Sequence, residues 1–398
     1  MLLGKIVLWA SCFVIFYNYI GYALIALALT RIKKKKKTSF PGDYYPTISF
    51  VVAAYNEEDC IEKKIINSLQ QNYPSAKIEF IFITDGSTDS TPEIIKAFPS
   101  IRLLHLSERN GKTAALNRAV LHAQNEILIF SDANAILNEE ACINIARHYY
   151  DAFVGGVAGE KKVITLSTDG QNAANSEGFY WKYESFLKKL DSDFHSVVGA
   201  AGELFSVRKS LFQPLATEVI LDDFIISMKI ALQGYRIVYE PSAFAMEMPS
   251  SSIQDEKKRK VRIAAGGFQS IAMLPEALHF WKHLKLSFLY ISHRVLRWTL
   301  TPLCLVLALL SNFLLVILYD DPVYNGILMV QIVFYFGALV FQAFPAMRNQ
   351  LSFLKVPYYF IFMNISVFQG FFKFLQKKQS SVWEKAKRTN YHLPQIKR

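Results

Sequence analysis

Paired cysteines are missing. The chain has 4 cysteines in 398 residues (Cys12, Cys60, Cys142 and Cys304). No two stand in a CxxC spacing, which excludes a disulfide scaffold or zinc ribbon and leaves the thiols as small apolar fillers in a reducing compartment. Histidine is scarce, with 8 in all, and lone imidazoles such as His105 and His195 read as surface or core residues before they read as ligands. No GxGxxG follows the first expected strand, so the dinucleotide fingerprint is lacking. Gly111-Lys112-Thr113 ends like a phosphate loop, but Leu106 stands where that motif needs its first glycine. Acidic charge is in deficit: 33 Asp and Glu against 44 Lys and Arg leave a net charge of +11. The strongest basic run, residues 33–37, directly follows a long apolar segment. That position fits the positive-inside rule, so the excess charge points to a membrane and away from nucleic acid.

Apolar residues are abundant, at 52% of the chain with 14% aromatic and a mean hydropathy of +0.19. They concentrate at the two ends. Residues 6–30 are nearly uninterrupted apolar sequence, long enough for the roughly 20 residues that cross a bilayer as helix. The stretch exceeds a signal-peptide core and its positive charge follows it, so it reads as an anchor. Three more apolar segments lie near residues 296–319, 324–344 and 356–375. If all three span, the basic tail (Lys377, Lys378, Lys385, Lys387, Arg388) ends outside, against the same rule. The last segment, interrupted by Asn364 and Gly370, is therefore expected to be re-entrant or interfacial. Residues 263–293 mix Phe, Trp, Leu, Lys and His, as suits an amphipathic helix at the bilayer surface.

The middle of the chain is ordinary globular sequence. Strands are expected at 47–54, 78–83, 101–104 and 126–130, and helices at 59–71, 94–98, 112–123 and 224–232. The alternation implies an α/β domain with a mostly parallel sheet. Residues 155–247 follow a less regular pattern. Phe80-Ile81-Phe82-Ile83 runs into Thr84-Asp85-Gly86-Ser87-Thr88-Asp89, a doubly buried strand that stops at a turn. Ligands of such sheets bind outside the carboxyl ends of the strands, and three acidic sites fall at such ends: Asp85, Asp132 and Asp222-Asp223. Carboxylates gathered at one sheet edge suit nucleotide-sugar chemistry. There a hard cation neutralises a diphosphate leaving group and one carboxylate accepts the proton of an attacking hydroxyl.

The sequence resembles a membrane-integrated family 2 glycosyltransferase with a GT-A fold, akin to the polysaccharide synthase-like members. The matching stretches run in order across about 48–270. They are Val51-Val52-Ala53-Ala54-Tyr55-Asn56-Glu57-Glu58, Thr84-Asp85-Gly86-Ser87-Thr88-Asp89, Asn110-Gly111-Lys112, Ser131-Asp132-Ala133-Asn134, Gly199 to Gly202, and Asp222-Asp223. The resemblance implies that Ala54, Tyr55 and Glu57 line the uracil and ribose site, that Asp85 touches the uracil or ribose, and that Lys112 lies near the nucleotide. It implies Mg²⁺ or Mn²⁺ held by Asp132, with Asn134 in place of a second Asp. Asp223 matches the catalytic base, with Asp222 beside it, and Gly202 and Glu203 border the acceptor. Arg262 aligns with the Arg of the synthases' Gln-x-x-Arg-Trp motif. Arg259 replaces the Gln of that motif and Ile263 replaces the Trp.

The domains expected are a membrane helix (1–30), a basic linker (31–46), a cytosolic GT-A domain (47–262), interfacial helices (263–295), C-terminal membrane segments (296–376) and a cytosolic basic tail (377–398). The function expected is inverting transfer from a nucleotide diphosphate sugar, taken as UDP-linked, to a lipid-linked or glycan acceptor in a multi-pass cell-membrane protein. The alternatives are a processive synthase that extrudes its polymer and a transporter with a non-catalytic nucleotide-binding domain.

Overall fold

A computed structural model describes residues 2–33, 43–163, 173–248, 252–344 and 350–377. Residues 34–37 of the expected basic run at 33–37, most of the linker and nearly all of the basic tail lie outside these residues.

Every residue of β1 (Ile48–Ala54) is buried, as its apolar run requires of a strand covered on both faces. It pairs in parallel with β2 (Ile78–Asp85) and β4 (Ile127–Asp132), and β3 (Ile101–Leu106) extends the parallel set beyond β2. The remaining strands are β5 (Ile136–Leu137), β6 (Val154–Val163), β7 (Leu204–Arg208) and β8 (Arg236–Glu247). The order across the sheet is β3-β2-β1-β4-β7-β6-β8-β5. β7 runs antiparallel to both its neighbours, β8 is parallel to β6, and β5 is antiparallel to β8. The mostly parallel sheet is therefore found, with β7 reversed at its middle and the short β5 reversed at its edge. The reversal of β7 matters: Ser131 pairs with Leu204, so the start of β7 meets the end of β4.

Strand residues alternate between two cores. Val51, Ile81, Ile83, Leu128 and Phe130 face one layer; Phe50, Val52, Phe82, Ile127 and Ile129 face the other. Short helices connect the parallel strands: α3 (Ile61–Leu69), α4 (Thr91–Lys96) and α5 (Lys112–His122). The stretch that looked irregular contains β6, β7 and β8, with α7 (Ala173–Phe194) and α8 (Asp222–Leu232), and α6 (Ala141–Ala146) precedes it. β6 escapes a propensity reading because it is rich in glycine. A Cβ at Gly156 would stand 2.8 Å from the Ser206 carbonyl oxygen, and one at Gly159 2.9 Å from that of Ala243, so close backbone approach selects glycine there.

The apolar ends form helices. α1 (Leu2–Phe16) and α2 (Tyr22–Ile32) continue through a single π-turn. After β8 come α9 (Ile253–Met273), α10 (Phe280–Tyr290), α11 (Leu296–Trp298), α12 (Leu300–Leu318), α13 (Pro322–Ala343) and α14 (Lys355–Leu375). Among the described residues three stretches are long and apolar enough to cross a membrane: Leu2–Ile32, Leu300–Leu318 and Pro322–Ala343. α14 instead lies along α9, with the Phe268 ring tilted 5.0 Å from that of Phe371 and stacked 6.2 Å from that of Phe374. A buried polar cluster fastens the first membrane helix to the sheet domain. Tyr22 and His293 both bond Asp191, His293 reaches Glu184 at 3.0 Å, and Arg294 and Arg297 pair with Glu184 at 2.5 and 2.9 Å.

Candidate active site

The carboxyl ends of β1, β2 and β4 share one sheet edge. At the end of β2, Gly86 turns the chain at φ +70°, and a Cβ there would stand 2.6 Å from that of Arg109. Asp85 is buried just before it. Its Oδ2 accepts from the backbone N–H groups of Asn110 (2.8 Å) and Gly111 (2.6 Å), which fixes the loop entering α5. Its Oδ1 is buried with no hydrogen-bond partner among the described residues. An acceptor left bare in a cleft is costly unless a ligand donor completes it. Tyr55 follows the buried Ala54 at the end of β1, and the Arg109 guanidinium lies 3.6 Å over its ring. Asn56 ties this loop to the next through Thr88 N–H, at 2.8 Å, and Glu57 accepts from the Cys60 thiol.

The second half of the site is centred on Gly202. A Cβ there would stand 3.1 Å from Lys112 Nζ, 3.4 Å from Asp223 Oδ2 and 3.8 Å from Asp132 Oδ1. The missing side chain thus leaves a space ringed by the three groups singled out in the sequence. Lys112, first residue of α5, donates to Asp132 Oδ1 at 2.7 Å. Asp222 and Asp223 open α8, where the helix N-terminus favours negative charge; Asp223 Oδ1 accepts from Phe224 N–H at 2.8 Å, and Asp222 Oδ2 is buried without a hydrogen-bond partner among the described residues. Burial and the adjacent Asp222 push the Asp223 carboxyl up to about 7, against the pull of Lys112. Burial also raises Asp132, with Lys112 opposing. Burial disfavours charge on Lys112, yet Asp132, Asp222 and Asp223 hold its ammonium above its ordinary range. Burial lowers Arg262 from its ordinary range although the same three carboxylates attract it, and its Nε is buried without a partner.

Among the described residues no group of three or more His, Cys, Asp and Glu side chains is placed to hold a metal. Asp132 and Asn134 nevertheless offer oxygen donors in one turn, and Asp132 already binds a cation, the Lys112 ammonium. Such a set suits a hard divalent cation whose other ligands are phosphate oxygens and water. Glu203, expected beside the acceptor, is engaged by Lys161 and lies 3.6 Å from Arg259; these cations hold it well below the usual carboxylate range despite burial.

Three contributors escape a reading of the sequence. Lys64, fully buried on α3, donates to Ser131 Oγ and Ala135 O, both at 2.7 Å, and so holds the turn that carries Asp132 and Asn134. Its position among Ile61 and Ile65 on the apolar face of α3 was the available signal. Arg109 and Lys161 carry no local signature, because their partners lie on other elements.

Residues 49–215 match the family model described as "Glycosyl transferase family 2". The chain is 29% identical over 246 residues to poly-beta-1,6-N-acetyl-D-glucosamine synthases of Staphylococcus aureus, covering 60% of this chain and 59% of the relative. For the Staphylococcus epidermidis enzyme of the same name the figures are 27%, 60% and 57%. The matches thus span less than two thirds of these curated relatives. Among solved structures, the Pyrobaculum calidifontis mannosyltransferase, in complex with GDP-Man and Mn²⁺, superposes with a TM-score of 0.73 at 22% identity, covering 94% of this chain and 99% of that one. At that identity the likeness establishes the shared fold.

Proposed function

We propose that this chain, which carries a family 2 glycosyltransferase domain, moves a sugar from a UDP-sugar to a lipid-linked or glycan acceptor at the cytosolic face of a membrane. The observation that carries this reading is the space at Gly202, bounded by Asp223, Asp132 and Lys112.

The donor's base lies against the Tyr55–Arg109 pair, and its ring N–H donates to the bare Oδ1 of Asp85. Lys112 and Arg262 face the diphosphate. The acceptor hydroxyl enters beside Gly202. Its oxygen bonds to the anomeric carbon as the bond from that carbon to the diphosphate oxygen breaks, inverting the centre. The hydroxyl proton passes to Asp223 Oδ2, and UDP leaves with the bonding electrons. A carboxyl pushed up to about 7 is well matched to that base role near neutral pH. Mg²⁺ or Mn²⁺, held by Asp132 and Asn134, would supply charge neutralisation for the diphosphate.

The test is UDP release by the purified full chain from a panel of UDP-sugars, UDP-N-acetylglucosamine first. Release that needs both acceptor and Asp223 supports the reading; no release from any donor with any acceptor overturns it. A second reading, processive polymer synthesis, is favoured by the Staphylococcus synthases. Ile263 counts against it, since it lacks the flat face on which sugar rings stack. A high-molecular-weight ladder from one labelled UDP-sugar would establish the polymerase.

A further inference from the structure

Beside the candidate active site lies a group of buried cations that the transfer reaction leaves unused. Lys161, Lys188 and Lys260 have 3%, 3% and 4% exposure. Their ammonium groups stand 5.1, 5.9 and 5.5 Å from the centre of the Trp181 ring. Lys161 is matched by Glu203 and Glu247, and Lys260 by Glu256 at 3.3 Å. Glu184, one turn from Lys188 on α7, is taken by Arg294, Arg297 and His293. Lys188 itself makes no hydrogen bond or ion pair among the described residues. Glu184, Glu203 and Glu160 attract it without closing an ion pair, and burial lowers its pKa against their pull; a buried ammonium so placed is costly. A negative group is the partner that completes it.

The surroundings give that partner a second character. Tyr183, two residues from Trp181 on α7, donates to the Tyr19 carbonyl at 2.7 Å. Lys260 stands 6.0 Å from the Tyr359 ring. Tyr19 and Phe360, the latter adjacent to Tyr359, line an apolar cavity of about 750 Å³ between the membrane helices, with Ile327, Val330 and Phe334 among its walls. Gly326 also lines it, and a Cβ there would meet nothing within 4 Å. The buried cation cluster and the apolar cavity therefore adjoin across Tyr19–Tyr183 and Tyr359–Phe360. The cluster also connects to the reaction centre, because Lys161 bonds Glu203, whose neighbour Gly202 faces Asp223.

We propose that Lys188 and Trp181 bind the phosphate group of a lipid phosphate acceptor, and that its hydrocarbon chain occupies the cavity lined by Ile327 and Phe334. The proposal rests on the transferase reading, which it deepens by naming the acceptor class. Lys188 is then a specificity-determining residue, set apart from the groups that handle the donor.

The test uses the full chain in maltoside micelles, without donor, and three probes: dodecyl phosphate, dodecanol and inorganic phosphate. UDP binding is measured in parallel. Dodecyl phosphate is expected to bind at least about 10-fold more tightly than either other probe. Lys188→Met should weaken it about 10- to 100-fold, the range for a buried charged hydrogen bond, while Lys188→Arg keeps most of the affinity. Gly326→Phe, which fills the cavity, should weaken dodecyl phosphate and spare inorganic phosphate. UDP affinity should not change in any variant, and the Tm of Lys188→Met should be unchanged or higher. Wild-type affinity for dodecyl phosphate in Lys188→Met overturns the proposal. So does inorganic phosphate binding as tightly as dodecyl phosphate, which would mark a free-anion site. Loss of UDP binding in the wild type, by contrast, defeats the donor reading and leaves the lipid phosphate result standing.

Discussion

At the scale of single residues, Asp223 carries the sharpest prediction. Asp223→Asn keeps size and removes basicity, so transfer should fall about 10²- to 10⁴-fold with UDP affinity nearly intact; retention of more than about a tenth of the rate rules Asp223 out as base. Its carboxyl, pushed up to about 7 by burial and Asp222, must be unprotonated to act. Transfer should therefore drop as pH is lowered through about 7 and recover as pH rises, an inflection measurable in kcat/KM. Gly202→Ala isolates the reaction space: its Cβ would sit 3.1 Å from Lys112 Nζ and 3.4 Å from Asp223 Oδ2. Displacement of this order at a reacting centre costs about 100-fold, and Tm should hold because the groups met are side-chain ends. For Asp132, chelation should stop turnover and Asp132→Ala should weaken UDP binding in the presence of metal. Full activity in excess chelator would sink the metal assignment.

At the scale of elements, α9 is the strut between chemistry and membrane. It presents Arg262 to the carboxylates, and α14 lies on its far side with Gly370 against Ala264. A Cβ at Gly370 would stand 2.5 Å from the Ala264 Cβ and 2.8 Å from the Ala265 nitrogen. Gly370→Val should therefore part the helices at a cost of about 1–3 kcal/mol, the usual range for overpacking. It should lower transfer through displaced Arg262. Unchanged Tm and rate would show that α14 is not seated there. Lys64 does comparable work on β4: without its two bonds the Asp132–Asn134 turn loses its anchor to α3.

At the scale of the whole molecule, we propose from the three apolar stretches and the placement of α14 on α9 that the chain crosses the membrane three times. One span before the sheet domain and a hairpin of two after it would leave α14 on the same side as the sheet domain. Lys377 should then share a side with the sheet domain, and Asp320, between α12 and α13, should lie opposite. Single cysteines at the two positions, in a background lacking the four native thiols, should label from opposite faces of sealed vesicles. Labelling of both from one face would overturn this arrangement.

The sequence by itself determined the chemistry's vocabulary and the elements that carry it. Unbroken apolar runs ending in Asp85 and Asp132 read as doubly buried strands with polar termini, and the apolar ends of the chain read as long apolar helices, because both properties are local in composition and period. Tertiary structure alone decided how those termini meet. β7 runs against its neighbours, which brings Gly202 opposite Asp132, and a glycine-rich β6 exists only because the Ser206 and Ala243 carbonyls approach it too closely for a side chain. The same holds for the bare Oδ1 of Asp85, the buried Lys64 and the unpaired Lys188. Whether a polar group is satisfied depends on partners scores of residues away, and that pairing is fixed by packing, which no local window of sequence contains.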